Sequence, residues 1–152
     1  MKALLSFITL LLLFITTGCS KDNNDDANKT EVLTQSSWKF SDAGVDNDRN
    51  GTIETSVASS IDACLKDNII VFNTNLTGTV DESTNVCAGA TQTTPFNWNF
   101  ANNENSLTIS GNAIAGLSGT FKINTLSSSK LSLSKDTTVM GFTVSFVVDF
   151  IH

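Results

Sequence analysis

Phe142-Thr143-Val144-Ser145-Phe146-Val147-Val148-Asp149-Phe150 sets an aromatic or β-branched residue at every even position. A period of two places Phe142, Val144, Phe146, Val148 and Phe150 on one face of a β-strand. The same alternation recurs upstream in Lys130-Leu131-Ser132-Leu133-Ser134, Thr120–Asn124, Ser106–Ser110 and Phe96-Asn97-Trp98-Asn99-Phe100. Earlier still come Gly78–Glu82, Asn68–Phe72, and Trp38 and Phe40 flanked by polar neighbours. Turn-rich stretches such as 73–77, 102–105 and 127–129 separate these candidate strands. Regular short strands joined by short connections predict an all-β meander, and closing the meander removes its edges. The expected fold is an up-and-down antiparallel β-barrel of about eight short strands. One segment departs from the pattern. Val57, Ile61 and Cys64 are spaced i, i+4, i+7 behind Thr55 and Ser56 as N-cap residues, which predicts one short helix over 56–65, between strands 1 and 2, with an irregular loop as the alternative.

Length and composition bound the rest. A chain of 152 residues fits one domain. Ser, Thr and Asn number 54, hydrophobic residues make up 40% and charged residues 16%, and the net charge is −6. That is too apolar for a disordered tail and too acidic for a nucleic-acid binder. The single histidine is the last residue, which argues against histidine-based triads and His-rich metal centres.

Residues 1–18 have a positive start at Lys2 and an apolar run, Ala3–Ile15, too short to span a bilayer. They end in Thr16-Thr17-Gly18-Cys19, which resembles the lipobox of bacterial lipoproteins, with Thr16 in the place of the usual leucine. That resemblance implies a signal peptide over 1–18 and lipidation of Cys19, and more than one acyl chain makes such an anchor firm. Residues 19–32 then read as a flexible acidic tether. Asp22, Asp25 and Asp26 resemble the surface-export signal of Bacteroidota lipoproteins, which implies the outer membrane, with surface display ahead of the periplasmic face.

A wider resemblance covers about residues 33–152. Trp38, Cys64-Leu65-Lys66-Asp67-Asn68, Phe72, Gly78, Cys87, Trp98, Leu107-Thr108-Ile109 and Lys130-Leu131-Ser132-Leu133 occur in an order similar to that of the lipocalin-like domain of small Bacteroidota lipoproteins. The family implies a lipocalin-type barrel and little about a ligand.

With Cys19 committed to lipid, Cys64 and Cys87 remain. In an oxidising compartment an even remainder reads as a disulfide, here from the helix end to the loop between strands three and four. A metal pair or a reactive thiol is the alternative, disfavoured by the lack of a third thiol or a histidine nearby. Asp46-Asn47-Asp48-Arg49-Asn50-Gly51-Thr52-Ile53-Glu54 fits the first positions of a calcium loop: Asp46, Asp48 and Asn50 converge, Thr52 offers its carbonyl, and Glu54 or Asp62 would supply the closing carboxylate. Val57 stands where the bidentate glutamate belongs, and the alternative is an Asx-rich turn capping its own backbone. The one cofactor implied is therefore Ca²⁺.

Trp38, Phe40, Phe72, Trp98, Phe100, Phe121, Phe142 and Phe146 are the expected barrel interior, either a packed core or the lining of an apolar cavity. No catalytic motif accompanies them, so the expected protein is not an enzyme. Two functions follow. One is an envelope binding module for a small apolar molecule, lipid or glycan. The other is an accessory subunit that meets an envelope protein partner and has a filled core. In both, the membrane is reached through the lipid anchor, and nucleic acid is excluded.

Overall fold

The computed structural model describes residues 28–111, 117–139 and 141–152. The signal segment 1–18, Cys19 and the tether up to residue 27 lie outside the described residues.

Helix α1 (Lys29–Thr34) opens the fold, with the Asn28 side chain accepting from the Thr30 N–H at 3.0 Å as N-cap. It takes up the last part of the stretch expected as tether. Composition alone misses this because the helix is anchored by tertiary contacts, the buried Leu33 side chain and a hydrogen bond from Lys29 Nζ to the Glu104 carbonyl at 2.8 Å.

Among the described residues nine strand segments follow, all paired antiparallel: β1 (Trp38–Asp46), β2 (Thr55–Ser56), β3 (Ile69–Phe72), β4 (Thr77–Asp81), β5 (Thr93–Ala101), β6 (Ser106–Ser110), β7 (Gly119–Leu126), β8 (Lys130–Val139) and β9 (Phe142–Ile151). β3 to β9 form a meander, and β9 returns to pair with β1 from Lys39 to Asp46, so eight strands close a barrel. β2 is a two-residue rung on β1, outside that circuit.

Two local features shape the interior. The first is a bulge in β1: Phe40 pairs with Phe150 and Asp42 with Asp149, so Ser41 is the extra residue. Without it Trp38, Phe40, Asp42, Gly44 and Asp46 would share a face. With it, Ala43 and Val45 turn inward and Asp42, Gly44 and Asp46 turn outward. The second is Gly78, opposite Phe96 across the β4–β5 pair, where a Cβ would collide with the Phe96 ring.

The predicted helix over 56–65 is broken into a 3₁₀ turn (Ala58–Ser60) and the one-turn helix α2 (Ala63–Lys66). Ile61 and Asp62 between them are extended, with ψ of 133° and 140°, which interrupts the helical hydrogen-bond ladder. The disulfide Cys64–Cys87 ties α2 to the β4–β5 loop, with Cα atoms 5.2 Å apart.

One end of the barrel is solid. Phe72 meets Phe96 and Trp98 edge-on at 5.3 and 5.7 Å between ring centroids, and Trp98 meets Phe100 at 5.5 Å. Trp38, Leu107, Phe121, Leu131 and Leu133 fill the remaining space. Helix α1 plugs this end, the Trp38 indole N–H donating to the Leu33 carbonyl.

Phe142 corrects the expected interior. It is 75% exposed, because the β8–β9 hairpin runs past the barrel rim and Lys135–Val139, Phe142 and Thr143 all lie in solvent. Alternation assigns a face, and it says nothing of where the barrel ends.

Candidate functional site: a cavity at the open end

The edge of β1 that faces β3 is divided. Trp38 and Lys39 pair with Ile70 and Ile69, whereas Gly44 and Val45 pair with Ser56 and Thr55 of β2. Between these two ladders β1 and β3 separate, and the segment from β2 to α2 fills the opening. Behind it lies a cavity of about 410 Å³. Phe40, Ala43, Ile70, Val80, Val148 and Phe150 supply its barrel walls, Ile61 and Leu65 its helical side, and Leu117 and Phe146 its remaining apolar surface. Ser60, Asp62 and Asn68 are its polar members, and none of the described lining residues is basic. The volume is within the range of small-molecule sites, and the lining is mainly apolar with a few polar groups, as such sites require.

Two of the eight aromatics expected to line a cavity, Phe40 and Phe146, do so. Phe146 is 38% exposed. Trp38, Phe72, Trp98 and Phe121 are buried in the solid half, Phe100 packs against that core half-buried, and Phe142 is outside. The seam among Trp38, Phe72, Ile109, Leu131 and Leu133 has no room for a water molecule. Sequence reasoning missed Ala43, because the bulge at Ser41 is invisible to alternation. It also missed Asn68, since a polar residue at a strand entrance gives no sign that the chain will close around it.

Asn68 is 6% exposed, and its Nδ2 donates to Glu82 Oε1 at 3.1 Å. Glu82 is itself buried, and its Oε2 accepts from the Cys87 N–H at 3.1 Å. A carboxylate accepts and cannot donate, so the amide of Asn68 is turned with its nitrogen toward Glu82. The Asn68 Oδ1 is buried and has no hydrogen-bond partner among the described residues.

The acidic loop sits elsewhere, on the outside of the barrel. Arg49 pairs with Asp136 of β8 at 3.7 Å, and Gly51, at φ +93°, lies against the Asn124 side chain of β7. Val147 and Ser145 are buried beneath this part of the molecule although their parity in β9 is outward. The loop is therefore a strap across the outer face. Its Asp46 has no exposed surface and accepts from three backbone N–H groups: Arg49 at 2.6 Å, Asn50 at 3.2 Å and Gly51 at 2.7 Å. Burial works to raise the Asp46 pKa, but the N–H donors led by Gly51 outweigh it and hold the carboxyl below its ordinary value of 3.8. Asp48 accepts from Asn50, Asn50 accepts from the Thr52 N–H, and Glu54 accepts from Asn47. Carboxylate oxygens of Asp46, Asp48 and Glu54 lie within 4.8 Å of one another. Asp62 is not among them, because it lines the cavity.

No family model matches the sequence, and no curated protein matches it. Among solved structures, japanin from Rhipicephalus appendiculatus bound to cholesterol is similar, with a TM-score of 0.46 and 12% identity over 77% of this chain and 76% of that one. The closed circuit of eight antiparallel strands, with few short helices, makes this chain a lipocalin-like β-barrel.

Proposed function

We propose that this protein is a non-catalytic binding module for a small apolar molecule, lipidated at Cys19 and displayed from the outer membrane. The observation that carries the reading is the mainly apolar cavity of about 410 Å³ at one end of a barrel whose other end is solid. Burying an apolar ligand there gains about 25 cal/mol per Å² of surface removed from water, against a wall already folded to receive it. The envelope location is supported by the lipobox-like Thr16-Thr17-Gly18-Cys19 and the polar segment behind it. Helix α1 plugs the closed end, so a tether from Cys19 would join the barrel away from the cavity and leave its mouth free.

Nile red, a neutral apolar dye, tests the cavity. Wild type should bind it with a fluorescence increase, and Ala43→Trp, which fills the space, should lose that increase while remaining folded. A wild type that leaves the dye dark, or a variant that binds it equally, overturns the reading. Labelling with radioactive palmitate should mark the wild type and not Cys19→Ser.

A further inference from the structure

We infer that the tip of the β8–β9 hairpin dips into the headgroup boundary of a neutral lipid bilayer and so brings the open end of the barrel to the membrane surface. The inference goes beyond the binding function just proposed and draws on its lipid anchor only for reach. β1 stops pairing with β9 at Ser145, and β7 stops pairing with β8 at Ser134. Beyond these rungs the hairpin pairs only with itself among the described residues: Thr137 with Val144, Thr138 with Thr143 and Val139 with Phe142. At the rise of an extended strand the tip stands roughly 10 Å above the Asp136–Ser145 rung. Amphipathic segments sink about 5–10 Å into the boundary between headgroups and acyl chains. Phe142 is 75% exposed, Val139 51% and Phe146 38%, and cross-strand pairing and strand parity put all three on one face.

Four features point to lipid as what this face meets. Thr137–Val144 carries no charge, whereas Lys135 and Asp136, the latter paired with Arg49, sit immediately below it. An apolar tip over a charged base matches the order of a bilayer surface. The same face runs on through Phe146, Val148 and Phe150, which line the cavity, so a molecule leaving the acyl chains keeps apolar contact on its way in. Reach allows it: the nine residues from Cys19 to Ala27 span at most about 30 Å. The ten residues of β9 rise about 33 Å along the strand and less along the axis of a barrel whose strands tilt. Anchor and tip can therefore share one leaflet. A net charge of −6 opposes anionic lipid, which makes the fitting bilayer zwitterionic.

The test places the mature lipidated protein on phosphatidylcholine vesicles, with a tryptophan at the tip through Phe142→Trp or at the opposite end through Ile151→Trp. Ile151 is 44% exposed and ends β9, roughly 30 Å from Phe142 at the rise of an extended strand. Phosphatidylcholine brominated near the headgroup end of its acyl chains should quench the emission added by Phe142→Trp and leave that of Ile151→Trp unchanged. Flotation reports attachment to the vesicles separately. Val139→Asp, added to Phe142→Trp, should abolish the quenching without lowering the melting temperature, since both residues are exposed and neither lines the cavity. Quenching of Ile151→Trp instead, quenching of neither on floating vesicles, or quenching that survives Val139→Asp overturns the tip assignment and leaves the anchor and the cavity standing. A blue-shifted Phe142→Trp emission without quenching gives the tip to a neighbouring protein and overturns the lipid equally. Protein that does not float overturns the anchor and this inference with it, while the cavity reading stays with its own dye test.

Discussion

The Trp38 indole N–H donates to the Leu33 carbonyl at 2.9 Å, a buried bond that joins helix α1 to the first barrel strand. Leu33 has no exposed surface and belongs to the same core cluster as Trp38. Leu33→Ala should therefore cost about 2–5 kcal/mol, the usual range for emptying a buried leucine site. Urea unfolding with Trp fluorescence measures it. A loss below about 0.5 kcal/mol, typical of surface substitutions, would mean the helix does not seal the barrel.

Trp98 and Phe142 are both large aromatics with the inward-facing pattern of their strands, yet they should respond oppositely. Trp98 is buried, its indole N–H donating to the Thr77 carbonyl at 2.9 Å, and Trp98→Ala should cost about 3–5 kcal/mol. Phe142→Ser, at the exposed hairpin, should change stability by less than about 0.5 kcal/mol. Equal effects in thermal unfolding would contradict the placement of the rim.

Asp46 predicts a pH dependence. Its carboxyl is held below its ordinary pKa in the folded state, so the folded chain binds fewer protons there than the unfolded chain. The sign follows: its stabilisation is fully present above the unfolded value of about 3.9 and is lost as pH falls through the lower folded value. Asp46→Asn should show a shallower fall in stability between about pH 5 and pH 2, where Asp unfolding linkage acts. Identical slopes for the two proteins would show that the strap does not depend on this charge.

Calcium examines the same loop from another side. Oδ1 of Asp46 accepts from two backbone N–H groups and Oδ2 from one, so the carboxylate has a single acceptor position left for a cation. The expected melting temperature is unchanged at millimolar calcium. A rise abolished by Asp48→Asn would assign Asp48 and Glu54 to an ion after all.

Opening the Cys64–Cys87 bridge should cost about 3 kcal/mol by the chain-entropy account of a loop of this size. Unfolding of the Cys64→Ser/Cys87→Ser pair gives the number, and Ellman titration of the soluble domain without Cys19 should find no free thiol before reduction. Two titratable thiols in the native domain would refute the bridge.

The sequence by itself determined the all-β class, the run of short antiparallel strands and the two cysteines available to one another. Alternation at Phe96–Phe100 and Lys130–Ser134 states which side chains share a face, turn residues at 73–76 and 102–105 state where the chain reverses, and both are local properties of the backbone. Tertiary structure alone decided depth. Phe40 meets the cavity, Phe72 is packed solid and Phe142 lies in water, because height along the barrel axis is set by cross-strand register and by where β1 leaves β3. It also decided that Ser41 bulges, which turns Ala43 into the cavity and Asp46 to the outside. Outward-facing Val147 is buried where a strap more than ninety residues upstream along the chain, carrying Arg49 and Gly51 onto β8 and β7, passes over that face of the barrel. Asn68 gains its place for the same reason. A single polar residue in sequence becomes buried when Glu82, fourteen residues on, accepts from its Nδ2, which leaves its Oδ1 without a partner among the described residues.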